Sequence, residues 1–295
     1  MARITYNQPL DNFDLNRAGQ VGVTGQVLSA TSTHIVYSDG TYTSDLSGFF
    51  PAGSGSQGTF TGITYSLNNT PYVTITGLNV KVGDVATTAS LYSGNDQYIG
   101  SNGNDHFYAW PGDDTYSGGA GIDTVHYNAS KNDFAISSVG TVATVKGLGK
   151  NDTLFGIERV EFGDGSKLAL DVNAGQNAGS AYRLYQAAFD RKPDTAGLNY
   201  WTNDLDNGAS IQQVAKGFVA SAEFKNLNPG LNQQQMINSF YQHVLHREAD
   251  AAGAKYWDDS MSNGMTASEV LVSFSESQEN INNTAAALNN GVWLV

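Results

Sequence analysis

The sequence predicts a multidomain β plus α protein. It combines an N-terminal all-β domain, a short parallel β-roll with a β closing segment, and a C-terminal all-α domain with an internal repeat. Three observations carry this expectation. Residues 1 to about 90 are rich in Thr, Ser, Gly and Tyr and show little helical periodicity. A nine-residue period then runs from Leu91 to His126. Beyond Gly179 the composition turns to helix formers, and residues 181–227 recur at 237–283.

In the first region, His34 to Tyr37 and Thr41 to Thr43 flank Ser38-Asp39-Gly40, a hairpin around an Asp-Gly turn. Ile63, Tyr65 and Leu67 alternate as one half-buried strand and Val73 and Ile75 as another, separated by Asn68-Asn69-Thr70-Pro71. Residues 53–58 spell a formal G-x-G-x-x-G. No strand–loop–helix pattern surrounds it and no acidic residue follows at the required distance, so it reads as a loop and not a dinucleotide site.

The nonapeptide block, in register, is LYSGNDQYI, GSNGNDHFY, AWPGDDTYS, GGAGIDTVH. Gly94, Gly103, Gly112 and Gly121 fill the fourth place, Asp96, Asp105, Asp114 and Asp123 the sixth, and Tyr98, Phe107, Tyr116 and Val125 the eighth. A flexible Gly/Asp-rich linker has no reason to keep the eighth place apolar. Six residues rich in Gly, Asn and Asp make a turn, because Gly and Asn tolerate positive φ. The next three make a short strand whose large apolar side chain points into a core. Stacking such turns builds a two-sheeted solenoid in which copies n and n+2 lie on one side. Carboxylates and carbonyls then face each other between turns. These are the hard oxygen ligands that Ca²⁺ takes in sets of about six to eight at ~2.3–2.6 Å.

Four copies allow two well-formed sites, Asp96 with Asp114 and Asp105 with Asp123. The candidate ligating residues are Gly94, Asn95 and Asp96; Gly100, Asn102, Gly103, Asn104 and Asp105; Gly112, Asp113 and Asp114; and Gly118, Ala120, Gly121, Ile122 and Asp123. The pattern fits the calcium-binding nonapeptide G-G-x-G-x-D-x-U-x, and here the chain resembles the RTX (repeats-in-toxin) family of secreted bacterial proteins. It departs from that pattern at the opening glycines: the first copy lacks both, and only the fourth has the pair.

Tyr127 to Ile136 reads as a degenerate turn, with Asn132 in the aspartate place and Phe134 in the apolar one. Asn151 to Val172, NDTLFGIERVEFGDGSKLALDV, resembles the segment that commonly follows RTX repeats. Its alternating Leu154, Ile157, Val160 and Phe162 suit closure of the solenoid's open end. Asp152, Glu158 and Asp164 offer a further calcium site there, set against the plainer reading of turn formers and solvated charges. The block with its closing segment spans 91–173.

Gly175 to Gly179 reads as a linker before the helical domain at 180–295. Tyr185 pairs with Tyr241, Arg191 with Arg247, Asp194 with Asp250, Gly197 with Gly253, Tyr200-Trp201 with Tyr256-Trp257, Gly208 with Gly264, Phe218 with Phe274 and Ser221 with Ser277. This Y-x5-R-x2-D-x2-G-x2-Y-W-x6-G pattern resembles DUF4214, a helical family of uncharacterised function. Each copy reads as three short helices. Asp194 and Asp250 cap the second, Gly208 and Gly264 end it, and Ser210 with Gln213 and Thr266 with Glu269 form capping boxes for the third. Arg191 and Arg247 are spaced to pair with Asp194 and Asp250. The Tyr-Trp dipeptides suit core packing or an aromatic ledge for sugars.

A net charge of −13 argues against nucleic acid as a partner. No cysteine is present, so bound metal is the natural stabiliser of a secreted chain. No apolar run approaches a membrane span, and the first residues lack the pattern of a cleavable signal. Val292-Trp293-Leu294-Val295 matches the uncleaved tail that the RTX resemblance implies is read by a type I (ATP-binding-cassette) exporter; packing on the core is the alternative. His243 and His246 lack the Glu of H-E-x-x-H, and neither G-x-S-x-G nor a thiol nucleophile occurs. The expectation is therefore an extracellular, non-enzymatic, calcium-dependent surface protein, a surface-layer or matrix block or a self-assembling filament subunit. Its rivals are a glycan-binding adhesin and an enzyme with an unrecognised N-terminal catalytic part.

Overall fold

The structure, a computed structural model, describes residues 2–9, 26–51, 58–81, 92–230 and 232–295. Most of the residue 53–58 loop, and Leu91 of the first repeat, lie outside the described residues. The chain forms two compact units, Met1–Ser166 and Lys167–Val295.

The first unit begins with β1 (Arg3–Tyr6), β2 (Gln26–Ala30), β3 (His34–Ser38), β4 (Tyr42–Phe49), β5 (Thr59–Leu67) and β6 (Thr70–Lys81). Strands β2 to β6 run as an antiparallel meander. The Asp-Gly turn forms as the sequence requires: Asp39 Oδ1 accepts from the amides of Thr41 and Tyr42 at 2.9 and 2.8 Å. Leu67 faces Thr70 across a two-residue loop in which Asn68 and Asn69 adopt φ of 50° and 64°. Positive φ at both central residues is what this tight hairpin demands, and Asn tolerates it.

The repeats supply β7 (Gln97–Ile99), β8 (His106–Tyr108), β9 (Thr115–Ser117) and β10 (Thr124–Tyr127). Then follow β11 (Ala135–Val139), β12 (Val142–Gly147), β13 (Lys150–Phe155) and β14 (Arg159–Phe162). Copies alternate between sheets. Strands β7, β9 and β13 pair in parallel on one side, and β8, β10 and β14 on the other. The β11–β12–β13 meander fills the return path, and both sheets are open. The eighth-place residues Tyr98, Phe107, Tyr116 and Val125 are all buried between them. Tyr98 stacks on Tyr116 at 4.7 Å between ring centroids, and Tyr6 of β1 stacks on Phe107 at 5.0 Å.

Here the structure differs from the expected division at residue 90. Strand β1 lies antiparallel to β6 and parallel to β7, so the meander and the repeats share one sheet, eleven-stranded among the described residues. An isolated β-domain would have left the edge of β1 that pairs with β7 without a partner. The degenerate turn after β10 is a short 3-10 turn, Lys131–Asp133, capped by Ser130. Phe134 packs on Tyr127 and Phe162.

The second unit contains β15 (Lys167–Ala169), β16 (Val292–Trp293) and, among the described residues, eight helices. They are α1 (Asn177–Phe189), α2 (Thr195–Asp206), α3 (Ile211–Ala220), α4 (Ala222–Leu227), α5 (Gln233–Leu245), α6 (Ala251–Ser262), α7 (Ala267–Ser275) and α8 (Gln278–Leu288). Each copy thus has four helices and not three. Ser221 and Ser277 are the reason: each accepts from an amide of a new first turn and donates to a carbonyl of the previous helix. The residue 175–179 linker is also shorter than expected, because α1 starts at Asn177. Gly179 lies inside that helix where a Cβ would collide with the Val172 carbonyl.

The other expected caps are present, with Asp194 and Asp250 accepting from Gly197 and Gly253 at 2.7 and 2.8 Å and both capping boxes formed. Gly208 and Gly264 take φ of +91° and +104° just past the helix ends. Leu184, Val214, Phe218, Ile237, Phe240, Val270 and Phe274 form the centre of the helical core. The last residues pack as well: β16 pairs antiparallel with β15, and Leu294 is buried. Among the described residues no helix is long and apolar enough to cross a membrane.

Candidate metal columns

The sixth-place aspartates stand in two columns, each welded by side chain to backbone. In the first, the Ala2 amide donates to Asp96 Oδ1 at 2.6 Å, the Asp96 amide to Asp114 Oδ1 at 2.9 Å, and the Asp114 amide to Asp152 Oδ1 at 2.9 Å. In the second, the Asp105 amide donates to Asp123 Oδ1 at 2.8 Å and the Asp123 amide to Glu158 Oε2 at 2.9 Å. The expected pairs, Asp96 with Asp114 and Asp105 with Asp123, are therefore neighbours along their columns. The fifth place repeats the device: Asn95 Oδ1 accepts from Asp113, Asp113 Oδ1 from Asn151, and Asn104 Oδ1 from Ile122, each at 2.9 Å.

The glycines let the turns approach. A Cβ on Gly112 would collide with the Gly94 carbonyl, and one on Gly118 with the Gly156 carbonyl and the Asp123 carboxylate. The Gly100 amide donates to Ser117 and the Gly118 amide to Phe155, holding the turns at this spacing. Gly103, Ala120 and Gly121 lie in the stacked turns, where the Ala120 amide donates to Ser101 O at 3.4 Å, and Asn102 is exposed.

Asp96, Asp114 and Asp123 each spend one oxygen on the ladder, which Asp105 joins through its amide, and all four are buried. The other oxygen is treated differently from turn to turn. Among the described residues, Asp96 Oδ2 and Asp123 Oδ2 are buried without a hydrogen-bond partner. Asp105 Oδ2 accepts from the Ser101 amide and hydroxyl at 2.6 and 3.1 Å. Asp114 Oδ2 accepts from Tyr116 at 3.3 Å, and Asp152 Oδ2 from Tyr127 at 2.9 Å. Burial pushes the Asp114 and Asp123 carboxyls up to about 7 and also raises Asp96 and Asp152, against the lowering effect of the amides they accept from.

A buried carboxylate oxygen with nothing opposite it costs several kcal/mol, which a divalent cation would offset. Among the described residues no three His, Cys, Asp or Glu side chains gather into one metal cluster. An ion here would draw on turn carbonyls together with carboxylates, the donor mixture that suits a hard cation. The residues present fit that group.

With this geometry in view, the family matches fall where the columns and helices are. Residues 92–125 match the RTX calcium-binding nonapeptide repeat (4 copies). The repeat block is similar to that family over these residues. Residues 174–228 and 215–284 match DUF4214, a domain of unknown function. No curated protein matches the chain.

The RTX match ends at residue 125, yet the ladders continue to Asp152 and Glu158, two of the three acids expected in the closing segment. The third, Asp164, belongs elsewhere and accepts from Ser130 Oγ and the Lys131 amide. Residues invisible to the repeat pattern are Ala2, which heads the first column with a backbone amide, Ser101, and the hydroxyls of Tyr116 and Tyr127. A signal for Tyr116 was available in the apolar column itself, where Tyr98 and Tyr116 carry a hydroxyl; Tyr127 lies outside that column.

In the DUF4214 region Arg191 and Arg247 do reach Asp194 and Asp250, at 3.4 and 3.7 Å, but their closer partners are Glu223 and Glu279, at 2.9 and 2.8 Å. Trp201 stacks on Phe218 at 4.6 Å and Trp257 leans on Phe274 at 5.0 Å, so one indole face in each copy belongs to the core. Tyr200 and Tyr256 are each 59% exposed. His246 caps α5 at φ of 54°, the role Asp190 plays for α1, and its H-x2-H partner His243 bonds Ser239.

Proposed function

We propose that the protein is a calcium-dependent, secreted, non-enzymatic surface protein whose RTX block is a short β-roll that folds on meeting calcium outside the cell. The observation that carries this reading is the pair of buried carboxylate columns, with oxygens at Asp96 and Asp123 that have no partner among the described residues. Where calcium is scarce the carboxylates repel and lack counter-charge, which keeps the block open for export through a type I exporter. At millimolar calcium, sites of ~10⁻⁴–10⁻³ M affinity fill, and binding free energy becomes folding free energy. Circular dichroism and melting with calcium and with chelator test this: the expected result is lost β signal and a lower Tm in chelator, and identical curves overturn the reading.

Self-association into a layer or filament is supported by the sheet edges. Among the described residues the eleven-stranded sheet ends on β2 (QVLSA) and β11 (AISSV), neither with a charge or a proline. Such edges lack the usual guards against pairing with another chain. Strand β2 is blunted by a bulge near Leu28, whereas β11 is regular and ends at Val139, 85% exposed. A glycan-binding adhesin is the second reading, favoured by the exposed Tyr200 and Tyr256 at matching places in the two helical copies. Ordered sheets or filaments in negative-stain microscopy with calcium separate the first from the second.

A further inference from the structure

The second column does not end where the nonapeptides end. Strand β10 lies parallel between β8 and β14, with Phe107, Val125 and Val160 in one line. The amide ladder passes from Asp105 to Asp123 and on to Glu158 with nearly equal lengths, 2.8 and 2.9 Å. The glycines keep the same relation. Gly100 abuts the Gly118 carbonyl and the Asp105 carboxylate; Gly118 abuts the Gly156 carbonyl and the Asp123 carboxylate. Gly156 to Glu158 is therefore a third turn of the stack. It is a contracted one: four residues separate Gly118 from Asp123, and only Ile157 separates Gly156 from Glu158. A glutamate, one methylene longer than aspartate, spans the missing length to the Asp123 amide.

Asp123 makes this interval chemically distinct. Its side chain is fully buried, Oδ1 is occupied by the Asp105 amide, and Oδ2 has no hydrogen-bond partner among the described residues while facing Gly118 beside the Gly156 carbonyl. The equivalent interval of the first column is closed without an ion, since Tyr116 and Tyr127 donate to the inner oxygens of Asp114 and Asp152.

We propose that a hard divalent cation of the calcium class binds between Gly118 and Gly156, held by Asp123 Oδ2, the Gly156 carbonyl and the Glu158 carboxylate, at the junction of the fourth repeat with the closing segment. The assignment rests on the calcium reading above for the identity of the ion. The site couples the closing segment to the repeats, so that the end of the stack is sealed by the same ion chemistry as its middle.

Isothermal titration of the full chain with calcium, for wild type and Glu158→Gln, tests it. Glutamine keeps an oxygen to accept the Asp123 amide, so the turn is retained while the charge is lost. The expected result is one binding equivalent lost or weakened at least tenfold, with an unchanged dichroism spectrum in calcium. Identical isotherms for the two proteins overturn the proposal. A wild type that takes up no calcium overturns the calcium reading itself and this site with it. Should Glu158→Gln fail to fold, anomalous diffraction from a calcium-grown wild-type crystal decides: a peak between Gly118 and Gly156 supports the site, and peaks confined to the repeat turns overturn it.

Discussion

The nonapeptide block and the helical unit both multiply a short piece of sequence, and they stabilise it in opposite ways. A repeat turn buries a charge: Asp96, Asp105, Asp114 and Asp123 all lie inside, each tied to a backbone amide. A helical copy buries rings, with Tyr185, Phe189 and Phe218 packed together in one and Phe240, Tyr241 and Phe274 in the other. Its duplicated charges stay outside, as in the exposed Arg191–Glu223 and Arg247–Glu279 pairs, and Arg183 is the buried exception. Apolar burial stabilises whatever the solvent holds, whereas a carboxylate column is stable only when something neutralises it. One half of the molecule is thus conditional on its medium and the other is not.

That contrast is broken or sharpened by perturbing each half alone. The largest effect is expected from Phe274→Ala. Phe274 is buried against Phe240, Tyr241 and Trp257, and its truncation should cost about 3–5 kcal/mol in urea unfolding of the helical transition. Calcium titration of the same variant should be unchanged; a weakened isotherm would show that the two halves do not behave independently.

An intermediate effect is expected from pH on the calcium-free protein. Burial lifts Asp114 and Asp123 from 3.8 to about 7 in the folded state. A raised carboxyl favours the protonated folded form, so its contribution is present in full below pH 3.8 and is lost as pH rises through about 7. The first unit without calcium should melt lower at pH 8 than at pH 5, and saturating calcium should remove that difference because the ion replaces the protons. A calcium-free Tm that climbs from pH 5 to pH 8 would contradict buried, unneutralised carboxyls.

The smallest effect belongs to a cap. Ser210→Ala removes one half of the Ser210–Gln213 box and should lower helical stability by about 1 kcal/mol. Its chelator response should equal that of wild type, as read by differential scanning calorimetry.

The nine-residue period made the columns legible because strands, turns and carboxylates share one spacing. Where the spacing breaks, legibility ends. Residues 128–149 depart from the stack, and the chain returns with Asp152 in the aspartate place and with Glu158 after a contracted turn, so no fixed period links them to the repeats. Ala2 serves through its amide, which any residue but proline supplies, and nothing in its side chain announces that role. The helical caps were readable because Asp, Ser and Thr act locally. Ser221 and Ser277 were visible as a matched pair, yet a serine both ending one helix and starting another looks the same in sequence as one that only ends it. Arg183 is the clearest hidden case. It is 1% exposed, with Glu276 and the Val172 and Asn173 carbonyls around its guanidinium, and its helical copy partner is Ser239, so the duplication conceals it.

Strand β1 also bears on how the chain reaches its structure. Within the repeats, amide and carboxylate partners are 18 residues apart, a short loop to close. The Ala2–Asp96 bond spans 94 residues, and the closure entropy grows with the logarithm of that length. Repeat turns should zip locally, the returning strands β13 and β14 should add next across spans of 38 and 35 residues, and β1 should dock last. Pairings so distant in sequence slow folding more than they weaken the folded state. The head of the first column is therefore set by the slowest search the sheet has to make, and the aspartate it completes, Asp96, is the last of the four to receive its amide.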